Sequence, residues 1–157
     1  MAKAVERFLA AAEAAGLTTE VRRFPAGTRT APDAARAVGC EVGQIVKSLV
    51  FVADGTPFIA LTSGANRADP GRLAEAMGAS EVRRATPEEA REATGFAIGG
   101  TPPFGHPRRL RILMDSDLSG YEVLWAAAGA PDAVFPIRPQ ELLAATEAEI
   151  ADFKELA

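Results

Sequence analysis

Residues 44–64 read QIVKSLVFVADGTPFIALTSG, and this stretch decides the fold. Residues 45–52 form a nearly continuous apolar run rich in β-branched side chains, which is typical of a strand buried on both faces. Asp54-Gly55 is a favoured two-residue turn. Residues 58–61 then return as a second strand, so the stretch predicts a β-hairpin.

Helix and strand signals alternate through the rest of the chain. Most predicted helices begin with a cap residue and a proline and end before a glycine. We predict helices within residues 4–15, 31–39, 69–78, 86–95 and 138–146, and a last short helix capped by Thr146 and Glu149. We predict strands within residues 19–24, 109–115, 121–127 and 132–137. The interspersed helices and antiparallel-looking hairpins favour an α+β fold over a regular βαβ sheet.

Length and composition exclude several classes of site. The 157 residues predict a single domain, residues 1–157, whose core needs neither disulfides nor a structural metal. Cys40 is the only cysteine and His106 the only histidine, so one chain cannot build a Cys/His zinc site or a disulfide framework. No G-x-S-x-G elbow, phosphate-binding loop or dinucleotide fingerprint is present. The net charge of −4 argues against broad, nonspecific affinity for nucleic acid.

The first sixteen residues have charged side chains at helical spacing, and they read as an amphipathic helix rather than a signal peptide. No apolar run approaches the length that a bilayer requires. These two observations predict a cytoplasmic location.

Lys47 is the first candidate functional residue, because it interrupts the apolar run of the first strand. A buried ammonium loses hydration and needs a partner or an open cavity. Lys47 could lie at a sheet edge and extend to water, or it could lie at the mouth of a pocket and bind an anionic or carbonyl oxygen. Ser48 is expected to face the other side of the strand.

The second candidate is the GGTPPFG segment, residues 99–105, within TGFAIGGTPPFGHPRR. Paired glycines let backbone N–H groups approach a ligand closely, and the prolines hold those donors in place. Such fixed donors suit the oxyanion of acyl transfer. A rigid surface corner would have the same composition.

Two arginine clusters and the single cysteine complete the candidates. Arg108, Arg109 and Arg111 follow the glycine segment, and Arg83-Arg84 forms a second pair. Both clusters could be solvated patches, and either could form a local basic face. Phosphate contact is expected only of some of Arg108, Arg109 and Arg111. Cys40 reads most simply as a small buried apolar residue.

Taken together, these motifs resemble the YbaK/ProX family, which includes the editing insertion domain of bacterial prolyl-tRNA synthetases. The resemblance covers residues 30–143 and rests on Thr30, QIVKSLVF, TGFAIGGTPPFG, Asp115 and AAGAPDAVFPIRPQELL. It implies an α+β fold in which helices surround a strongly bent, barrel-like mixed sheet. It also implies a pocket between the lysine strand and the glycine loop.

The resemblance implies a trans-editing aminoacyl-tRNA deacylase that hydrolyses the ester of a mischarged tRNA without a metal or cofactor. Cys-tRNA(Pro) and Ala-tRNA(Pro) are the candidate substrates, and a synthetase is a possible partner. The candidate catalytic residues are Lys47, Gly99, Gly100 and Thr101. The candidate substrate-binding residues are Thr30, Ser48, Ser63, Gly64, Pro102, Pro103, Phe104, Gly105 and His106. The candidate contacts to the tRNA acceptor end are Arg108, Arg109 and Arg111.

Two alternatives remain open at this point. The first is a non-catalytic module of the same fold that binds charged tRNA or a nucleotide-like ligand. The second is a hydrolase that acts on another small acyl ester.

Overall fold

The computed structural model describes residues 2–25, 27–28 and 30–156. Within these ranges it has five α-helices and eight β-strands. The helices are α1 (Ala2–Ala14), α2 (Ala31–Val38), α3 (Pro70–Met77), α4 (Pro87–Thr94) and α5 (Pro139–Thr146). The strands are β1 (Arg22–Arg23), β2 (Ile45–Ala53), β3 (Thr56–Ser63), β4 (Val82–Arg84), β5 (Ile112–Asp115), β6 (Leu124–Ala127), β7 (Ala133–Ile137) and β8 (Glu149–Ala151).

The predicted hairpin is confirmed as β2 and β3. Asp54 and Gly55 join the strands with φ angles of 47° and 84°. Both angles lie in the left-handed region, which a two-residue hairpin turn of type I′ requires. The antiparallel register pairs Ala53 with Thr56 at the turn and Val46 with Ser63 at the far end.

The two faces of β2 pack against different parts of the core. Val46 and Val50 belong to the larger apolar cluster. Phe51 and Ala53, on the other face, pack in a second cluster with Leu73 of α3. This arrangement confirms the prediction that the strand is buried on both faces, and it explains the absence of apolar–polar alternation along it.

All eight strands form one mixed sheet. Their order is β1-β7-β6-β2-β3-β5-β8, with β4 added to β2 beside this path. The pairs β2–β6, β3–β5 and β5–β8 are parallel, whereas the other registered pairs are antiparallel. The predicted α+β class and mixed sheet are therefore confirmed.

Helix caps explain why the predicted helix starts are accurate. The side chain of Thr30 accepts a hydrogen bond from the Asp33 N–H, and that of Asp69 accepts one from the Gly71 N–H. Thr86 forms a capping box with Glu89. Three helices end at a glycine in the left-handed conformation, and these are Gly39, Gly78 and Gly95. No helix in the described ranges has the length and apolar character that spanning a bilayer requires.

The prediction of a last helix capped by Thr146 and Glu149 is wrong. Glu147 adopts φ 53° and ends α5, and the Thr146 hydroxyl donates to the Leu142 carbonyl within that helix. Glu149 begins β8, which pairs in parallel with β5. The strand β4 was not predicted, because a three-residue strand with two arginines has no recognisable period.

The N-terminal helix packs behind the glycine segment. Phe8 of α1 is fully buried, and its ring centroid lies 5.2 Å from that of Phe104 and 4.5 Å from that of Phe135. Three packed aromatic rings bury a large apolar area and fix their backbones relative to one another. The loop that follows Phe96 is therefore anchored in the main core.

Candidate active site

The edge of β2 that faces away from β3 carries two separate strand partners. β6 pairs with Ile45 and Val46, and β4 pairs with residues 51–53. Among the described residues, the registered pairs leave residues 47–50 without a strand partner on this edge. A cavity of about 410 Å³ opens at this gap. The gap exposes the part of β2 that contains Lys47.

Lys47 lines this cavity, and its side chain is half-buried. Its Nζ donates a hydrogen bond of 2.6 Å to the backbone oxygen of Asn66. Burial lowers the pKa of Lys47, the nearby cations of Arg84 and Arg67 lower it further, and the Asp115 carboxylate acts in the opposite direction. Lys47 is in none of the salt bridges within the described ranges, and a neutral carbonyl leaves its charge uncompensated.

The first half of the glycine segment reaches the same cavity. Ile98, Gly99 and Thr101 line it. The Gly100 N–H donates to the carbonyl of Ala97 at 3.1 Å, and the Thr101 hydroxyl donates to the same carbonyl at 3.2 Å. The turn therefore closes around one carbonyl and places residues 99 and 101 toward the cavity.

Gly100 has a packing role. A Cβ at this position would lie 2.8 Å from the Cα of Ala130 and 3.0 Å from its backbone N and C. These atoms belong to the main chain and cannot rotate away. Glycine is therefore required where the loop contacts the segment after β6.

The second half of the segment lies behind the cavity. Pro102, Pro103 and Phe104 are buried. Nε2 of His106 lies 2.8 Å from the Pro102 oxygen, and the ring meets that of Phe96 edge-on. Burial lowers the pKa of His106 and favours the neutral ring. These residues and Gly105 are not among those that line the cavity.

The remaining candidate substrate-binding residues have different positions. Thr30 and Gly64 line the cavity. Ser63 is buried, and its hydroxyl donates to the Gly43 carbonyl at 2.8 Å. Ser48 lines the cavity, and its buried Oγ has no hydrogen-bond partner in the described part of the chain. A buried hydroxyl without a partner is uncommon in folded proteins and carries an energetic cost.

Arg108, Arg109 and Arg111 lie away from the cavity, beside β5 and the end of α5. Arg109 forms a 2.9 Å salt bridge with Glu147, and Arg111 forms one of the same length with Glu149. Because β5 adjoins β3, this surface is separated from the gap by both strands of the hairpin. The cluster that looked basic in the sequence is largely neutralised by carboxylates.

The structure adds two residues that sequence reasoning did not place at the site. Arg84 lines the cavity from β4, and Asn66 holds the Lys47 ammonium. Among the described residues, those that line the cavity include two cations, Lys47 and Arg84, but neither aspartate nor glutamate. The doublet Arg83-Arg84 was visible in the sequence, but only strand alternation on β4 separates the two side chains.

The cavity thus combines an uncompensated ammonium with a tightly packed glycine turn, which defines a site for a ligand with carbonyl or anionic oxygens. Residues 25–145 match the family described as "Aminoacyl-tRNA editing domain". The chain belongs to this family. The predicted YbaK/ProX-type resemblance is therefore confirmed, as is the predicted class of activity, hydrolytic editing of aminoacyl-tRNA.

Three relatives illustrate the family. A solved structure described as a proposed trans-editing enzyme for prolyl-tRNA synthetase has 51% identity and a TM-score of 0.92, with 98% of each chain covered. A proposed Cys-tRNA(Pro)/Cys-tRNA(Cys) deacylase from Enterococcus faecalis is 27% identical over 78% of this chain and 76% of its own length. The proline–tRNA ligase of Acidithiobacillus ferrooxidans is 33% identical over 74% of this chain, which spans only 20% of that ligase.

Proposed function

We propose that this protein hydrolyses the ester of a mischarged tRNA at the cavity between Lys47 and the glycine turn. The observation that carries the proposal is that Lys47, which is in no salt bridge among the described residues, lines one cavity with Gly99 and Thr101. An aminoacyl ester is already activated, so its hydrolysis needs a water, stabilisation of the oxyanion and a proton for the leaving oxygen. The site does not have to supply a strong nucleophile.

The reaction can be written with these residues. Water attacks the ester carbonyl carbon, and the carbonyl oxygen becomes an oxyanion. Backbone N–H groups at Gly99 and Thr101 stabilise that oxyanion, since the Gly100 N–H is already bonded to Ala97. The attacking water gives up a proton, the ester C–O bond breaks, and the ribose oxygen leaves with that proton as a hydroxyl group. Lys47 adds positive potential and binds an oxygen of the terminal ribose-phosphate.

The cavity has an apolar wall that suits an uncharged aminoacyl side chain. Its apolar wall is built largely from alanine and valine, including Val46, Val50, Ala85, Ala90 and Ala126. Cysteine and alanine esterified to tRNA(Pro) remain the candidate substrates. The relatives named for prolyl-tRNA editing support this choice. A tRNA substrate is also consistent with a cytoplasmic location. The single-domain organisation of residues 1–157 stays a prediction.

A panel of aminoacyl-tRNAs, with free amino-acid esters as controls, tests the proposal. Turnover of one aminoacyl-tRNA species, with much slower hydrolysis of the free ester, is the expected result. Binding without turnover would instead identify a non-catalytic module. Equal hydrolysis of the free esters would identify a general acyl-ester hydrolase.

Arg84 is the proposed contact to the phosphates of the acceptor end. Its guanidinium lies 5.5 Å from the centroid of the Phe51 ring, and it is in no salt bridge within the described ranges. A cation–π contact with a ring face leaves N–H groups of the guanidinium free to bind phosphate. Arg83, its neighbour on β4, is instead bound to Glu89 by two hydrogen bonds of 2.8 Å.

Arg84→Ala is expected to weaken binding of uncleaved aminoacyl-tRNA and to reduce the salt slope of log K by about 0.7, the value for one single-strand phosphate contact. Arg83→Ala is the matched control and should leave the slope unchanged. Binding titrations at several salt concentrations measure both. If Arg109→Ala reduced the slope and Arg84→Ala did not, the phosphates would lie on the opposite side of the hairpin.

Ser48 is the proposed polar contact to the aminoacyl group. Ser48→Ala removes a hydroxyl that has no partner in the described part of the chain, so the free energy of unfolding should stay equal or rise. Deacylation should fall about tenfold, because a ligand hydrogen bond is lost. Ser63→Ala is the matched control, and loss of its satisfied hydroxyl should destabilise the fold by about 1 kcal/mol. Unchanged turnover in Ser48→Ala would remove Ser48 from the site.

A further inference from the structure

The Lys47 ammonium is held by a residue that is itself fixed by two carboxylates. Nζ donates to the backbone oxygen of Asn66 at 2.6 Å. The side-chain amide nitrogen of Asn66 donates to Oδ2 of Asp115 at 2.9 Å and to Oδ2 of Asp117 at 2.8 Å. We call Asn66, Asp115 and Asp117 the Asn66 clamp. Both acceptors are carboxylates, so the amide nitrogen must face them.

Asp115 gives the clamp a rigid base. Its side chain is fully buried at the end of β5, and it also accepts hydrogen bonds of 3.0 Å from the N–H groups of Ser63 and Asp117. Three donors at one carboxylate restrict its rotation. The Ser63 N–H belongs to the last residue of β3, so Asp115 also fixes the start of the turn that contains Asn66.

A buried carboxylate needs a reason, because an isolated one is costly to desolvate. Here its donors come from the last residue of β3, from Asn66 in the turn after β3 and from its own 3₁₀ turn, residues 116–120. The result is a fixed Asn66 carbonyl beneath the ammonium. None of these three residues lines the cavity itself.

We infer that Asn66 is a positioning residue that sets the place and the protonation of the Lys47 ammonium, through its attachment to Asp115 and Asp117. The inference rests on the proposed function, in which that ammonium faces the substrate. Three further charged groups act on Lys47, and they are Arg84 on β4, Arg67 in the turn after β3 and Asp115 on β5.

Nuclear magnetic resonance of labelled lysine tests the clamp without substrate. The chain has only three lysines, Lys3, Lys47 and Lys154, so the Lys47 signal can be assigned by substitution. In Asn66→Ala the carbonyl loses its fixed position, and a hydrogen bond that favours the charged form weakens. The Lys47 titration midpoint should then move to lower pH by about one unit. Ala65→Ser, at an exposed neighbour in the same turn, should leave the midpoint unchanged.

A double-mutant cycle tests the same inference by activity. Asn66→Ala should lower kcat/KM about tenfold in the wild-type background and should have no further effect in Lys47→Ala. Asp117→Ala keeps the buried Asp115, and it should move the Lys47 titration midpoint to lower pH by a smaller amount than Asn66→Ala does. This variant replaces Asn66→Ala in the experiment if Asn66→Ala fails to fold.

An unchanged Lys47 midpoint in a folded Asn66→Ala or Asp117→Ala protein would overturn the inference, and so would fully additive losses in the cycle. Because the titration needs no tRNA, its outcome is separate from the deacylation panel. A wild-type protein that cleaved no aminoacyl-tRNA would contradict the proposed function but not the inference that Asn66 positions Lys47.

Discussion

Lys47→Ala is expected to lower kcat/KM for aminoacyl-tRNA deacylation by about 100-fold or more while the fold stays intact. Loss of one well-placed electrostatic contact to a developing negative charge costs about 3 kcal/mol in other enzymes, which corresponds to this factor, and Lys47 supplies positive potential of this kind. The Lys47 ammonium hydrogen-bonds to the backbone oxygen of Asn66, and none of the salt bridges in the described ranges includes it. Single-turnover kinetics on the substrate found in the panel measure the loss.

Stability separates a catalytic from a structural role for Lys47. Burial lowers the pKa of Lys47 below 10.5, so the folded protein binds its proton less tightly than the unfolded chain does. The charge of Lys47 therefore lowers the free energy of unfolding at pH 7. This loss of stability disappears as the pH rises past the pKa of Lys47 in the folded protein and then past its pKa in the unfolded chain. Lys47→Met, which keeps the volume, should unfold at the same temperature as wild type or higher. Near-normal turnover in Lys47→Ala or Lys47→Met would remove the residue from the mechanism.

The pH dependence of deacylation tests the role of the Lys47 ammonium in a second way. If the ammonium is the active form, deacylation should fall as pH rises through the lowered pKa of Lys47, below the ordinary value of 10.5. Lys47→Arg keeps its charge to much higher pH. Its remaining activity, whatever its size, should therefore show no such decline below pH 10.5. A decline at the same pH in Lys47→Arg would assign the limb to another group.

Gly100→Ala is the second change with a large expected effect. Its Cβ would lie 2.8 Å from the Cα of Ala130, so the turn or the segment after β6 has to move. Overpacking of this kind costs about 1–3 kcal/mol of stability. A displacement of about 1 Å at Gly99 and Thr101 would lower turnover about 100-fold. Thermal unfolding and deacylation assays measure the two effects.

Gly120→Ala is the matched control for that change. No atom lies within 4 Å of a Cβ at Gly120, and its φ is outside the left-handed region. This variant should keep wild-type activity and stability within about 0.5 kcal/mol. Wild-type turnover in Gly100→Ala would show that close packing of the turn does not matter for the reaction.

Local signals made the hairpin and the helix starts predictable. The β2–β3 turn depends on Asp54 and Gly55 alone, and each predicted cap depends on residues within three positions of it. Parallel strand pairings were not predictable in this way, because β5 pairs with β3 and β8 pairs with β5 across long stretches of chain. No local pattern specifies such partners, and residues 149–151 were therefore assigned to a helix.

The candidate site was predictable in its motifs but not in its surroundings. Lys47 stood out because a lysine interrupts an apolar strand, and the glycines stood out by composition. The neutralisation of Arg109 and Arg111 depends on Glu147 and Glu149, about 38 residues away, and could not be read from charge along the chain. Asn66 escaped notice because its main-chain oxygen, and not a reactive side chain, meets Lys47.

The position of α1 has a practical consequence for protein engineering. The range that matches the family begins at residue 25, whereas Phe8 packs on Phe104 and a Cβ at Gly105 would lie 2.9 Å from Ala11. A recombinant protein cut to the matched range would therefore lose the helix that packs against its glycine segment. Boundaries for expression, for grafting into a synthetase or for specificity libraries should include this helix, although no residue of it touches the ligand cavity.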